Sequence, residues 1–336
     1  MVMINKNNLV LTVAIPTYNR AEFLKRTLEV LRGQYNEAME ILVSDNNSTD
    51  DTFQLVSMFQ QSMPYLRYHR NACNLGFDAN IVKLYELAMT RYIWLLGDDD
   101  LVEDRAIENI LQALSKYSPT VALFRHSYVD DKGARSIHPP WLNEDRIIGK
   151  FEKSNDYLIF LSTVFLSALV IQKSPKVQSA DLIQYQGSAM IHMTISLLLL
   201  SKDWRLCVLT PVIVRHHQGR IYNQDLILHF ITGGIRAVSA VSMPESRFDM
   251  AIYKRLVLSE GCRGCGRIIL SSKIGRSDVK FPVHISHLRE LYDMFGILSL
   301  PAIAYLSLCI LMPAPAAKLL HSLKSMWNSL IISPKQ

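Results

Sequence analysis

The chain has 336 residues, 49% of them hydrophobic, so it can bury a sizeable core and is not of disordered composition. Its five cysteines, Cys73, Cys207, Cys262, Cys265 and Cys309, are scattered, which speaks against a disulfide framework and for a reducing compartment. The net charge of +6 belongs to the C-terminal quarter: residues 251–336 carry 11 Lys and Arg against 4 Asp and Glu, while the first 250 residues are close to neutral. Such an asymmetry points to an anionic surface, lipid or nucleic acid.

The opening "MVMINKNNLVLTVAIP" has no basic segment followed by a separate apolar stretch and a small-residue cleavage site, so it reads as a first strand rather than a signal peptide. "AEFLKRTLEVL" then places Leu24, Leu28 and Leu31 at helical spacing. "EILVSD" is a second strand, "TFQLVSMFQQ" a helix, and "YLRYHR" alternates like a half-buried strand. "FDANIVKLYELAMT" is helical, "YIWLL" is a strand, and "RAIENILQAL" lines up Ala106, Ile107, Ile110, Leu111 and Leu114 on one helix face. "TVALFRHSYVD" is a further strand. This alternation over the first 130 residues predicts β-α-β units, a mainly parallel sheet and helices on both of its faces.

From 131 to 150 the text is irregular, with Gly133, Pro139 and Pro140 marking a loop; "IFLSTVFLSALVIQK" and "AMIHMTISLLLLSKDW" are apolar again. "FGILSLPAIAYLSLCILMP", residues 295–313, has no charge over 19 residues. That length is near the minimum for a membrane span, and Gly296 and Pro301 make a re-entrant or buried helix pair an equal alternative. In "AAKLLHSLKSMWNSLII" polar Lys318, His321, Ser322, Ser325 and Asn328 recur every three or four residues, with Leu319, Leu320, Leu323, Trp327, Leu330 and Ile331 on the other face. A basic amphipathic helix over 316–332 suits an anionic membrane surface, against the plainer reading of a helix packed on the core.

In such sheets ligands bind beyond the C-terminal strand ends. Here four consecutive ends carry polar groups: "IPTYNR" (15–20), "VSDNNSTDDT" (43–52), "RNACNLGFDAN" (70–80) and "LLGDDD" (95–100). Each alone has a plain explanation, since Asp and Asn begin turns and Ser or Thr cap helices. Four on one edge favour a phosphorylated ligand held through Mg²⁺ or Mn²⁺ by consecutive carboxylates. No Walker-type loop is present, and no Gly-x-Gly-x-x-Gly follows the first strand. Cys262, Cys265, His284 and His287 raise a zinc reading, but His-x-x-His is tighter than finger spacing, so two unpaired thiols in a basic loop are the expectation.

The order "VAIPTYNR", "ILVSDNNSTDDT", "NLGFDAN", "YIWLLGDDD" resembles the family 2 glycosyltransferases, and within them the bacterial O-antigen and capsule transferases, including the abequosyltransferase-like group. The resemblance implies an α/β GT-A fold over 1–225, with a nucleotide-sugar half at 1–130 and an acceptor half at 131–225, and a helical, membrane-associating region at 226–336. It implies transfer of a sugar from a nucleotide diphosphate donor to an acceptor hydroxyl, with inversion and a divalent cation.

Carried over residue by residue, Pro16, Thr17, Tyr18 and Arg20 wrap the nucleotide. Asp45 contacts the base, and Asn46 replaces an acid that often follows it. Asn74, Gly76 and Asn80 lie near the donor. In the preferred register Gly97 takes the first acidic position, Asp98 the variable one, Asp99 the metal ligand and Asp100 the following acid; the alternative pairs Asp98 with Asp100. The usual helix-start carboxylate is absent from "YQGSAMIH", which leaves His192, or less favourably Asp181, as the base that takes the acceptor proton. His192 also reads as a core residue of an apolar helix. In "VRHHQGR", His216 or His217 with Arg220 reaches the metal or diphosphate, with His217 preferred, or else forms an exposed basic loop. The acceptor is expected to be a lipid-linked saccharide at the cytoplasmic face of the membrane. A non-catalytic nucleotide-sugar-binding protein is the alternative. Nucleic acid is not expected, since few aromatics interleave the basic residues.

Overall fold

The computed structural model describes residues 9–129, 135–139, 142–151, 156–157, 165–216 and a few isolated positions beyond. Its centre is a ten-stranded sheet ordered β3-β2-β1-β4-β9-β6-β10-β5, with β7 on β6 and β8 on β10. The strands are β1 (Leu11–Thr17), β2 (Met39–Asp45), β3 (Leu66–Arg70), β4 (Tyr92–Leu95), β5 (Leu101–Val102), β6 (Val121–Val129), β7 (Arg135–His138), β8 (Arg146–Ile148), β9 (Leu169–Gln172) and β10 (Leu206–His216). The helices are α1 (Ala21–Gly33), α2 (Thr52–Gln60), α3 (Phe77–Leu87), α4 (Ala106–Tyr117), α5 (Ser179–Leu182) and α6 (Ile191–Lys202).

The mainly parallel α/β reading holds. β3, β2, β1 and β4 are parallel neighbours. β9 runs antiparallel between β4 and β6, and β10 is again parallel to β6. Two antiparallel steps restore direction, so β1, β2, β3, β4, β6 and β10 all point the same way. Their C-terminal ends therefore share one edge, which places "GDDD" after β4 in line with the ends of β6 and β10.

Alternation along the strands sorts side chains to the two faces. Leu11, Val13 and Ile15 of β1 join Ile41 and Val43 of β2 in a core closed by Leu24, Leu28 and Leu31 of α1 and Val56 and Phe59 of α2. The intervening residues face α3, where Asn80 Nδ2 donates to the Ser44 carbonyl at 3.0 Å. Helices thus cover both faces. α6 is buried on nearly every side, which explains its uniformly apolar text.

Two expectations about local structure change. The stretch read as an irregular loop, 131–150, contains β7 and β8, whose pairing comes from β6 and β10 rather than from their own pattern. The third helix stops at Leu87 rather than Thr90, and Lys173 Nζ donates to the Glu86 and Ala88 carbonyls at its end.

The chain divides into two compact units, residues 1–220 with 236–250, and residues 221–235 with 251–336. Most of the second unit, including most of the apolar segment 295–313 and of the amphipathic segment 316–332 and all of the Cys262/Cys265/His284/His287 group, lies outside the described residues. Among the described residues no helix is long and apolar enough to cross a membrane.

Candidate functional site

The β4 strand runs into Gly97 and three buried acids, Asp98 (4% exposed), Asp99 (8%) and Asp100 (6%). They are held from two parts of the chain. Thr17 Oγ1, at the end of β1, donates to Asp98 Oδ2 at 2.8 Å. Arg20, just before α1, donates through one nitrogen to Asp98 Oδ1 at 3.1 Å and Asp99 Oδ2 at 3.0 Å. Thr27 of α1 donates to the Asp98 carbonyl at 2.9 Å. Asp100 is held from the other half of the sheet: Ser167 Oγ donates to its Oδ2 at 2.5 Å, and His216 Nδ1 lies 3.2 Å from its Oδ1. Ser167 Oγ also accepts the Gly97 N–H at 2.8 Å, which fixes the turn.

This arrangement explains the glycine. A Cβ on Gly97 would sit 3.0 Å from Asp100 Oδ2 and 3.3 Å from Ser167 Oγ. The position where the resemblance expects an acid is therefore filled by its neighbours' side chains. It also separates the acids. Burial pushes the Asp98 carboxyl up to about 6, against the pull of Arg20 and with the repulsion of Asp99 adding to it.

On the β1–β3 side the remaining expected residues form one hydrogen-bonded assembly. Asp45 is wholly buried; its Oδ1 accepts the Ser48 N–H at 2.8 Å and its Oδ2 the Tyr68 hydroxyl at 2.5 Å, with Arg70 Nε 4.0 Å away. The fold thus engages both oxygens of the residue expected at the nucleotide base, and presents the half-exposed Tyr68 and Arg70 beside it. Burial and the Asp45 carboxylate push the Tyr68 hydroxyl far above its ordinary range. Asn46 donates to Asn74 Oδ1 (2.7 Å) and the Gly76 carbonyl (3.2 Å), and accepts from Asn71 Nδ2 (3.0 Å) and the Leu75 N–H (2.9 Å). A carboxylate could make only the accepted pair, which is the physical reason for an amide here. Asn80 accepts from Ser44 and Asn71, and Gly76 begins α3 at φ 82°, a conformation open to glycine. Asn74, Gly76 and Asn80 thus shape the loop 71–76. Tyr18 is exposed at 43% on the neighbouring loop, after Pro16 of β1.

The two proposed bases stand differently. Asp181 is an exposed helix cap, its Oδ2 accepting the Gln178 N–H at 3.0 Å. His192 is 2% exposed in α6, with its ring 6.4 Å edge-on from Phe77. Asp78, which the sequence did not single out, accepts the backbone N–H groups of Gly187 (2.7 Å), Ala189 (2.9 Å) and Ile191 (3.3 Å). A carboxylate at that turn satisfies donors at the start of α6 and ties α3 to it. The strand spelled "FRHSYVD" brings two more rings to this edge: His126 and Tyr128 stand at the C-terminal end of β6, beside His216. Burial, with His138 adding, pushes the His126 imidazole down to about 3. His217 and Arg220 lie outside the described residues, and it is His216 that meets the acidic turn.

Among the described residues no three His, Cys, Asp or Glu side chains are set to enclose a metal ion. The donor set nevertheless fits Mg²⁺ or Mn²⁺ of the kind that uses one or two carboxylates and completes its shell with substrate phosphates and water. Asp99 and Asp100 would be its hard oxygen donors.

Residues 12–168 match the family model described as Glycosyl transferase family 2. Over 178 residues the chain is 30% identical to abequosyltransferase RfbV of Salmonella typhimurium, covering 49% of this chain and 53% of that one. It is also 30% identical over 103 residues to a Campylobacter jejuni GalNAc(5)-diNAcBac-PP-undecaprenol beta-1,3-glucosyltransferase, covering 30% and 33%. The chain thus spans about a third to a half of the length of these curated relatives. S. aureus TarS 1–349 in complex with UDP-GlcNAc shares the fold at TM-score 0.56 and 13% identity, over 93% of this chain and 88% of that one. The mannosyltransferase PcManGT of Pyrobaculum calidifontis, in complex with GDP-Man and Mn²⁺, does so at 0.52 and 13%, over 95% and 87%. With four strand ends and their loops in the family's order on a sheet of this topology, residues 12–168 are a glycosyl transferase family 2 domain of GT-A fold.

Proposed function

We propose that this chain transfers a sugar from a nucleotide diphosphate donor to a hydroxyl of a saccharide acceptor, with inversion, in bacterial surface polysaccharide synthesis. The observation that carries the reading is the meeting of Thr17, Arg20, Asp98, Asp99 and Asp100 at one sheet edge, in a domain whose relatives are named for sugar transfer. UDP, UDP-GlcNAc and GDP-Man in the complexes of structurally similar proteins support a nucleotide-sugar donor.

Loops 17–20 and 46–52 are joined: Asn19 Oδ1 accepts the Thr49 N–H at 2.7 Å, and the Asn19 N–H donates to Ser48 Oγ at 2.9 Å. They give the nucleotide one continuous edge, with Arg20 and Arg70 contributing positive charge. Asp99 and Asp100 would hold the divalent cation, which, when bound, offsets the negative charge that grows on the departing diphosphate. Ser167 and His216 keep Asp100 in place from the acceptor half. Proton removal from the acceptor is assigned to His192, with Asp181 the weaker choice. The C. jejuni relative acts on a diphosphoundecaprenol-linked saccharide by its name, and the basic C-terminal quarter suits an anionic leaflet. These two features support a lipid-linked acceptor and a peripheral or shallowly inserted position on the cytoplasmic face of the plasma membrane.

The test is a calorimetric screen of UDP, CDP, GDP and dTDP with Mg²⁺ and Mn²⁺, followed by release of the matching diphosphate from nucleotide sugars. Metal-dependent binding of one nucleotide and its release on turnover are expected. Binding without turnover over a broad acceptor panel would favour a non-catalytic nucleotide-sugar-binding protein, and no binding at all would end the reading.

A further inference from the structure

At the edge of the sheet away from the acidic turn, α3 ends, β4 begins and β9 ends. Lys173 directly follows β9, and its N–H donates to the Arg91 carbonyl at 2.8 Å, so the two basic residues sit side by side where β4 starts. Between them, the last turn of α3 and the start of α5 lies a cavity of about 490 Å³. Arg91, Lys173 and Ser179 are among its polar lining, and Met89 and Val177 among its apolar walls. Cavities of roughly 300–1,000 Å³ take small organic molecules, so this one has room for more than an ion.

Its charge is unbalanced. Among the described residues no carboxylate comes within ion-pair distance of Arg91, whose guanidinium lies over the Tyr92 ring at 5.2 Å. Lys173 Nζ donates to the Glu86 and Ala88 carbonyls, neutral acceptors that leave its charge uncancelled. Burial lowers the Lys173 ammonium below its ordinary value, against the pull of Glu86. The groups that would repel an anion are already engaged. Glu86 Oε2 pairs with Lys83 Nζ at 2.8 Å, and Glu40 Oε1 with Arg67 at 3.1 Å. Arg67 also donates to the Leu87 carbonyl at 3.2 Å, so the negative end of α3 is covered from two sides. The hydroxyls of Tyr85 and Thr90 donate to the Val177 and Tyr92 carbonyls. What remains for a ligand is two cations, the Ser179 hydroxyl, and the apolar surfaces of Met89 and Val177.

We infer that this cavity is a second ligand site, for the phosphate monoester of a small organic molecule. Two cations match the nearly double negative charge of such a phosphate, and a guanidinium fork suits its oxygens. The apolar walls take the organic part. The site goes beyond the sugar-transfer reading and does not depend on it, since it lies on the edge away from the acids and its ligand is not a reacting partner. Its walls are nevertheless the far ends of elements that build the catalytic edge. β4 runs from Arg91 to the acidic turn, β9 runs from beside Ser167 to Lys173, and α3 runs from loop 71–76 to Glu86.

The experiment is calorimetry on the full chain with glucose 6-phosphate, 3-phosphoglycerate, inorganic phosphate and glucose, without divalent cations so that metal-dependent binding at the acidic turn is silent. At least one ester is expected to bind, more tightly than inorganic phosphate, and glucose is expected not to bind. Arg91→Gln, at an exposed position, should weaken the ester by about 10-fold or more, as when one hydrogen bond to a charged group is lost. Ser179→Trp fills the cavity without removing either charge and should block binding. Arg20→Gln, at the acidic turn, should leave the ester's affinity as it is. Far-UV circular dichroism checks each fold, and Ser179→Trp decides if Arg91→Gln fails to fold. The site is overturned if neither ester binds, or if glucose or inorganic phosphate binds as well as the ester. It is equally overturned if the folded cavity variants bind like the wild type, or if Arg20→Gln is the variant that loses the ester.

Discussion

The two halves of the sheet edge are organised by different forces. On the β1–β3 side, Asn46, Asn71, Asn74 and Asn80 bond to one another and to the backbone, so the loops are fixed by directional hydrogen bonds. On the β6–β10 side, rings packed at tilted and edge-on angles form the surface, and His216 and Ser167 are the polar groups that reach across to Asp100. Hydrogen-bonded loops demand particular side chains at fixed spacing, whereas ring layers accept many aromatic combinations and depend on strand register. The first design suits a ligand part that is always the same, such as a diphosphate; the second suits one that varies.

The largest expected effect lies where the halves meet. Asp99→Ala should lower turnover by about 10²–10³-fold with the fold intact, as when one charge-stabilising group is lost from a preorganised site. Steady-state release of nucleoside diphosphate together with a thermal melt measures both; near-normal turnover would remove Asp99 from the site. Gly97→Asp would restore the family's frequent acid, yet its Cβ meets Asp100 and Ser167 at 3.0 and 3.3 Å. Overpacking of this kind costs about 1–3 kcal/mol. Loss of both melting temperature and turnover is expected, and a gain in activity would show that the acidic register here is the ordinary one.

What the sequence disclosed follows the same division. "IPTYNR", "VSDNN", "NLG" and "GDDD" are contiguous words, because a loop that grips through its own side chains must spell them locally. The parallel sheet and its helices were equally plain, since hydrophobic period and strand length are local too. The ring layer was not legible: His126, His138 and His216 lie in three separate strands, and only the β6–β7 and β6–β10 registers bring them together. Nor were Thr27 and Ser167, which sit in a helical pattern and an apolar stretch until the turn after β4 reaches them. Asp78 was hidden in a helical pattern, where an acid near the first turn needs no special reason. Asp181, read as the weaker base, lies in the first turn of α5, where it accepts the Gln178 N–H.

On the hydrogen-bonded side, Asn46→Asp tests whether the amide is required. The carboxylate would face Asn74 Oδ1 and the Gly76 carbonyl, two acceptors now 2.7 and 3.2 Å from the amide nitrogen. Leaving such groups without a donor costs about 1–3 kcal/mol. Chemical denaturation should show that loss, with weaker nucleotide affinity as loop 71–76 loosens; unchanged stability would mean the asparagine assembly adapts and is not the rigid frame described.

The ring side has a gentler test in pH. His126 has an ordinary value of 6.5, and in the fold burial, helped by His138, pushes it down to about 3. Between those values the unfolded chain takes up a proton that the folded chain refuses. Its contribution to stability is therefore complete above pH 6.5 and is lost progressively as pH falls toward 3, by up to about 1.4 kcal/mol per unit. His126→Gln also removes packing against Phe165, but that loss shifts stability at every pH alike. The informative quantity is the difference in slope: from pH 7 to 5 the wild type should lose about 2 kcal/mol more than the variant in urea titrations. Parallel slopes would mean that the imidazole takes a proton within the fold and that burial among the rings does not keep it neutral.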